Sequence, residues 1–306
     1  MTATVLAARG AADTERLARA LPSHPVREFT ELTELPAHER AHAAVLVIRS
    51  GHRIDATALD RLPQLRHVVR AGSGLDGIDI KETTDRGITV HRYAEASAPA
   101  VAEWTLAALL ALVRRIPLGS MGLAGGAHLK SACMAPLPLS AMNVAVWGAG
   151  PVGTACAALI RGLAADVRFA DRPGIDPALP RMPAAALSAW AHAHIDAVPG
   201  TTENVALFGR EFLHRARHRA PHLVVAGRLS TIDVNACLDA LDDGRLAGLA
   251  IDPVDQEHIP LLPTGRQAAN LLLTPHIGAQ RADVRERLDT WVSALVADLM
   301  TRRDDL

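Results

Sequence analysis

The sequence carries no surplus of either charge: 32 Lys and Arg face 33 Asp and Glu, for a formal net charge of -1 over 306 residues. Without a basic excess there is no footprint for a nucleic-acid partner, and without an acidic run there is no solvating tail. Cysteine is scarce as well. Cys133, Cys156 and Cys237 stand far apart, with no C-x-x-C pair and no histidine at ligand spacing, so neither a disulfide scaffold nor a cysteine metal centre is expected. They read as reduced, mostly buried thiols. No hydrophobic run is long enough to cross a bilayer, because the longest, "VAEWTLAALLALV", is short and holds Glu103. It reads as a core helix. The opening "MTATVLAARG" lacks the basic start, apolar centre and cleavage site of a secretory signal, and reads instead as a first strand. These absences set the expectation of a cytoplasmic protein with no metal, nucleic-acid or membrane partner.

What is present is an apolar, two-domain length of chain, with 49% hydrophobic and 21% charged residues. Short apolar runs alternate with amphipathic stretches, the pattern of an α/β fold with a mainly parallel sheet. One group comprises "ATVLAA", "AAVLVIRS", "LRHVVRAG" and "GITVHRY". The other comprises "NVAVWGAG", "DVRFADRP", "HIDAVPG", "PHLVVAGR", "LAGLAID" and "NLLLTPH". Between them lies a helical stretch over 98–116, followed by a passage rich in glycine, alanine and proline that is expected to be irregular. The closing "ADVRERLDTWVSALVADLM" has apolar residues at helical spacing and is expected to return to the first domain.

The strongest local signal is "NVAVWGAGPVGTACAALI". A strand meets Gly148, Gly150 and Gly153 in the G-x-G-x-x-G arrangement and a helix follows, which is the context a dinucleotide-binding turn requires. Gly148 permits the tight turn, Gly150 the approach of a pyrophosphate, and Gly153 close packing of helix on strand. Pro151 and Val152 then open the helix, whose N-terminus favours phosphate. The next strand ends in Asp171, 18 residues beyond Gly153, where a carboxylate would hold the adenosine ribose and repel a 2′-phosphate. NAD is therefore expected over NADP, with Arg172 beside the acid pulling the other way.

A second stretch, "LLLTPHIGAQ", puts His276 at the end of an apolar strand. Taken alone, a histidine between a proline and a glycine reads as a surface turn residue. Its wider setting changes that reading. In order along the chain come "VVRAGSGLDGIDI", "PAVAEWTLAALLAL", the glycine loop, "LVVAGRLSTIDVNACLDALDDGRLAGLAIDPVDQEH" and the histidine stretch. Together they resemble the D-isomer-specific 2-hydroxyacid dehydrogenases over almost the whole length.

The resemblance implies a doubly wound, Rossmann-type nucleotide domain over 114–276, inserted into a flavodoxin-like substrate domain built from 1–113 and 277–306. It implies NAD as cofactor, a small 2-hydroxy or 2-oxo acid as substrate, and a homodimer joined near the domain-crossing helix. His276 matches the family's acid/base histidine, a role suited to imidazole because it titrates near neutrality. Glu257, 29 residues after Arg228 and five after Asp252, matches its carboxylate partner, with Asp255 as the local rival. Arg228 matches the cation that grips the substrate carboxylate with a planar fork. Asp252 matches the residue that holds the nicotinamide carboxamide, and Ala226, Asp171, Arg172 and His276 complete the expected cofactor contacts. In the substrate loop, Ser73 and Gly74 can turn backbone N–H groups toward a carboxylate, and Arg70 can add charge. Asp76 and Asp79 read as turn and cap residues.

Several positions depart from the family pattern. Leu229 stands where glycine usually follows the catalytic arginine, Gln280 where a small hydroxyl residue is common, and the 91–99 loop lacks the usual Asn and Pro. They bear on which acid is bound, and they leave two alternatives beside a 2-hydroxyacid: a one-carbon or phosphorus oxyanion, or a non-catalytic NAD-sensing regulator of the corepressor type. The remaining histidines, among them His192, His194, His214, His218 and His222, read as surface or capping residues.

Overall fold

The computed structural model describes residues 2–172, 174–176, 178–262 and 269–301. The chain divides into two compact units, one of residues up to Ser97 together with the segment from Arg281, the other Ala98–Gln280. The first break therefore falls before the long helix and not near residue 113.

The first unit is built on a parallel sheet of β1 (Thr4–Ala8), β2 (Val26–Phe29), β3 (Ala43–Ile48), β4 (His67–Arg70) and β5 (Thr89–Arg92). Their spatial order is β2-β1-β3-β4-β5, which is the flavodoxin-like order. Every residue of β1 and β3 is buried, as central strands of a parallel sheet covered on both faces must be. Each large aliphatic side chain so enclosed contributes roughly 1.5–3 kcal/mol of hydrophobic stabilisation. The helix Ala282–Thr301 closes this unit. Its Val292, Val296 and Leu299 enter the core, Trp291 lies 5.6 Å from the Tyr93 ring, and Asp289 Oδ1 accepts a 2.9 Å bond from the Asp13 amide.

The second unit carries β6 (Asn143–Trp147), β7 (Asp166–Ala170), β8 (Arg181–Met182), β9 (Ala193–Asp196), β10 (His222–Val225), β11 (Gly248–Ile251) and β12 (Leu271–Leu273). The order β12-β11-β10-β9-β6-β7-β8, parallel throughout, is the doubly wound Rossmann order extended by one strand. The switch of direction lies between β6 and β9, and the carboxyl ends of those strands frame the crevice where such sheets bind ligands.

The helix Ala98–Val113 belongs to this unit because Ala102, Leu109, Leu112 and Val113 pack with Val144, Ile195, Val224 and Ala250 beneath its sheet. The passage expected to be irregular opens with a further helix, Ile116–Ala124. Arg115, in the left-handed region at φ 53°, separates the two, and Pro117 sits in the first turn, where its missing N–H costs nothing. Glycine here marks a close approach: a Cβ on Gly122 would stand 2.6 Å from Leu129 Cδ1. Among the described residues no single helix is long and apolar enough to cross a membrane.

Candidate active site

The glycine loop forms as its spacing predicts. The helix Pro151–Ile160 starts at Gly150, and the first intrahelical bond runs from the Thr154 amide to the Gly150 carbonyl at 2.9 Å. The Val152 and Gly153 amides precede that bond and lie in the turn that favours negative charge. Each glycine has a separate cause. A Cβ at Gly153 would lie 1.8 Å from the Gly148 carbonyl oxygen, and one at Gly148 would lie 2.6 Å from the Ala197 oxygen. A Cβ at Gly150 would meet nothing within 4 Å, so that face is open to a ligand. A tight turn, a bare backbone face and unclaimed helix amides together fit a dinucleotide pyrophosphate.

At the end of β7, Asp171 and Arg172 are exposed. Asp171 is ion-paired with Arg181 of the edge strand β8, Nε to Oδ1 at 3.3 Å. The carboxylate expected to read the ribose thus has a cation beside it that the sequence reading did not include.

The ends of β11 and β12 are tied together by Asp252, which is buried at 4% exposure. Its Oδ1 accepts from Thr274 Oγ1 at 2.6 Å and from the Ile277 amide at 2.8 Å, and Oδ2 accepts from the Gly278 amide at 2.8 Å. Three of its roughly four acceptor positions are filled, leaving one on Oδ2 for a further donor such as a carboxamide. Gly278 is required for this, since a Cβ there would lie 2.7 Å from Oδ2. The anchored loop presents His276 half-buried, with its backbone in the left-handed region at φ 54° and its amide donating to the Asp252 carbonyl at 2.7 Å.

The carboxylate against the ring is Asp255, whose Oδ1 lies 3.1 Å from His276 Nδ1. Glu257, the partner preferred from spacing, is turned away: its side chain is 82% exposed, and the ion-pair contact it makes is with His258 at 3.9 Å. The cause is the 3-10 helix Gln256–Leu261, which Asp255 caps and which carries Glu257 onto its outer side. With Nδ1 facing a carboxylate, the neutral ring carries its proton on Nδ1 and leaves Nε2 as an acceptor.

Arg228 stands just beyond β10 and starts the 3-10 turn Leu229–Thr231. Its Nη1 donates to the Gly227 carbonyl at 2.7 Å, and its stem covers Gly200, where a Cβ would lie 3.1 Å from Arg228 Cγ. Leu229, one of the departures from the family pattern, is buried in the core that holds Phe208 and Phe212. Beneath the turn lies Asp196, the last residue of β9 and wholly buried, which the sequence reading missed. Burial pushes its carboxyl up to about 7, against the opposing pull of bonds from Thr231 and the Val198 amide and of the Arg228 charge. The visible signal was a lone acid inside the apolar run "HIDAVPG".

The substrate-loop residues belong to the first unit. Arg70 ends β4 nearly buried, its Nη1 donating to the Ala71 carbonyl at 2.9 Å and lying over Gly72, where a Cβ would approach Nη1 to 2.8 Å. Ser73 and Gly74 follow in a loop whose Ser73 carbonyl accepts from Arg92 Nη1 at 3.0 Å. Asp79 caps the helix Ile80–Asp85 through the Glu82 amide, as expected of a cap residue.

Two histidines read as surface residues are core residues. His194, on β9, accepts at Nδ1 from Trp147 Nε1 at 3.1 Å, and burial lowers its pKa to about 3. His222, on β10, is lowered to about 4 chiefly by burial, with Arg115 adding to the shift. Cys156 and Cys237 are buried and Cys133 is half-buried. No group of three or more His, Cys, Asp or Glu among the described residues could hold a metal ion.

Residues 106–278 match the family described as D-isomer specific 2-hydroxyacid dehydrogenase, NAD binding domain. The chain is 30% identical over 263 residues to D-3-phosphoglycerate dehydrogenase of Mycobacterium leprae (strain TN), covering 83% of this chain and 48% of that protein. It thus spans about half the length of that relative. It is 29% identical over 248 residues to glyoxylate reductase of Thermofilum pendens (strain DSM 2475 / Hrk 5), covering 77% and 72% of the two chains. Among solved structures, D-lactate dehydrogenase from Aquifex aeolicus, complexed with NAD and lactic acid, superposes with a TM-score of 0.84. At 20% identity, with 99% of this chain and 97% of that one covered, this likeness concerns the fold. The match of sequence over the nucleotide-binding unit, together with the sheet order and the glycine turn, shows that the chain belongs to the D-isomer specific 2-hydroxyacid dehydrogenase family.

Proposed function

We propose that this protein transfers a hydride between NAD(H) and a small 2-hydroxy or 2-oxo acid. The observation that carries the reading is the His276–Asp255 pair, 3.1 Å apart, with His276 on a loop that Asp252 fixes from beneath. Bound NAD would supply the hydride acceptor. Gly148, Gly150, Pro151, Val152 and Gly153 would receive its pyrophosphate, Asp171 and Arg172 its ribose, and Ala226 and Asp252 its nicotinamide end. Arg228 binds the substrate carboxylate, and within the first unit Arg70, Ser73 and Gly74 offer charge and amides to a carboxylate. In oxidation, His276 Nε2 takes the hydroxyl proton while the carboxylate at Nδ1 stabilises the imidazolium. In reduction the protonated ring returns it.

The names of the relatives suggest a short substrate such as glyoxylate, hydroxypyruvate or lactate. The reading includes a homodimer, supported by exposed Ile116, Leu123 and Met134 after the long helix, and a cytoplasmic protein without nucleic-acid or membrane partners. Its test is NADH consumption with glyoxylate, hydroxypyruvate and pyruvate in turn. Turnover that disappears in His276→Ala is expected. NAD binding without turnover of any 2-oxo acid would favour the corepressor-type alternative.

A further inference from the structure

Thr231 Oγ1 makes two short contacts at once, 2.5 Å to Asp196 Oδ2 and 2.6 Å to the Arg228 carbonyl oxygen. A hydroxyl owns one proton, and a carbonyl oxygen can only accept. If the carboxyl were ionised, both neighbours would compete for that single proton, and one O···O contact would be left without a hydrogen. Two hydrogen bonds through one hydroxyl need a second proton, and the carboxyl of Asp196 is the group that can carry it. The order is then Asp196 O–H to Thr231 Oγ1, and Thr231 O–H to the Arg228 carbonyl.

We propose that Asp196 is a positioning residue that, as a neutral acid, holds the Arg228 turn through the Thr231 hydroxyl and slackens that hold when it ionises. The inference rests on the reading of Arg228 as the cation for the substrate carboxylate. The surroundings suit a neutral acid. Asp196 lies between Trp147 of β6 and Val225 of β10, and Gly227 leaves room for it, since a Cβ there would lie 2.9 Å from Oδ1. The second oxygen is accounted for, because Oδ1 accepts from the Val198 amide at 3.0 Å. Arg228 is the charged group that acts on the carboxyl, and His194, two residues earlier on the same strand, is kept neutral by burial. The carboxyl's elevation to about 7 places the change within working pH.

On ionisation the proton leaves to solvent, the Thr231 hydroxyl turns to the carboxylate, and the Arg228 carbonyl keeps the Thr231 amide bond at 3.1 Å. The arginine turn is thereby held by one bond where it had two. Substrate affinity should fall as pH rises, with the hydride step less affected.

The test compares wild type, Asp196→Asn and Thr231→Val, with folding checked by thermal unfolding. Asparagine reproduces the neutral acid, because its amide can donate to Thr231 Oγ1 and its oxygen can accept from Val198. In wild type the KM for glyoxylate should rise about threefold to tenfold between about pH 6 and about pH 8, the worth of one neutral hydrogen bond. In Asp196→Asn the KM should stay low and lose that rise, while kcat stays near the wild-type value. Thr231→Val should raise the KM at every pH. Difference infrared spectra of the unliganded protein should contain a protonated-carboxyl band that titrates near neutrality and is missing from Asp196→Asn. Absence of that band at about pH 6, or a KM in Asp196→Asn that follows wild type, overturns the inference. Failure of every variant to turn over a 2-oxo acid would sink the proposed function instead, and the band alone would then decide where the proton lies.

Discussion

Asp255 Oδ1 stands 3.1 Å from His276 Nδ1, and the two residues hang from loops that leave the adjacent strands β11 and β12. The pair is partly exposed, so its strength comes from orienting the ring more than from burying charge. Asp255→Asn is therefore expected to lower the rate of reduction on the order of tenfold to a hundredfold. Glu257→Gln should leave it nearly unchanged. Rates of the hydride step measured for both variants check the assignment, and a reversed result would return the role to Glu257.

Arg228→Lys keeps a positive charge and loses the two-pronged geometry. Loss of about a hundredfold in kcat/KM for the oxo acid is expected, with NADH affinity measured by fluorescence retained. Wild-type activity in this variant would move the carboxylate site to Arg70.

The ion pair between Asp171 and Arg181 bears on cofactor choice. In the proposed ribose role, Asp171 opposes a 2′-phosphate, while Arg181 and Arg172 offset that repulsion. The protein is expected to bind NAD at least about tenfold more tightly than NADP, and Arg181→Ala should widen the gap by removing the cation beside the acid. Asp171→Ala should narrow it. Titration of both dinucleotides against the three proteins is decisive, and equal affinities in wild type would refute the ribose role of Asp171.

Gly153→Ala is expected to destabilise the second unit by about 2 kcal/mol or more, because its methyl would fall 1.8 Å from the Gly148 oxygen and force the helix off the strand. Dinucleotide binding should go with it. Gly150→Ala meets no protein atom, so it should fold normally and lose affinity alone. Urea unfolding beside NAD titration separates the two effects.

Buried titratable groups make opposite contributions to stability on the acid side. His194 and His222, lowered to about 3 and about 4, bind protons in the unfolded chain before the folded one, so they cost stability as pH falls below about 6.5. Asp196, raised to about 7 from 3.8, binds its proton more tightly when folded, so its contribution is lost as pH rises from about 4 to about 7. The unfolding free energy of Asp196→Asn minus that of wild type should therefore climb with pH by up to about 1.4 kcal/mol per unit and level off above about 7. His194→Leu should blunt the loss on acidification. Denaturant unfolding at a series of pH values tests both slopes, and a pH-independent difference for Asp196→Asn would show that its carboxyl is ionised throughout.

Much of this architecture is written in apolar runs. Each strand with three or more consecutive buried residues, from "TVLAA" to "GLAI", is marked by an apolar run in the sequence. The strands that are not so marked are β2, "VREF", and β8, "RM", which lie at sheet edges and carry charge that a covered strand would not tolerate. The cation beside Asp171 was hidden for that reason, since Arg181 belongs to β8. His194 and His222 were misjudged because histidine is read as polar, whereas a neutral imidazole fits a parallel strand covered on both faces. The glycine turn over 148–153 was legible from its spacing. The choice between Asp255 and Glu257 depends on which way a six-residue 3-10 helix turns its side chains, and residue spacing does not encode that.

His276 holds its imidazole on a backbone at φ 54°, a conformation in which an L side chain costs roughly 1–2 kcal/mol and glycine costs little. Selection for thermal resilience alone would thus reward glycine or asparagine at this position while silencing the chemistry. A screen of random variants ranked by heat survival should enrich inactive proteins altered at residue 276, and only a paired assay of turnover would expose them. On the proposed acid/base role of His276, folding fitness and catalytic fitness point to different amino acids.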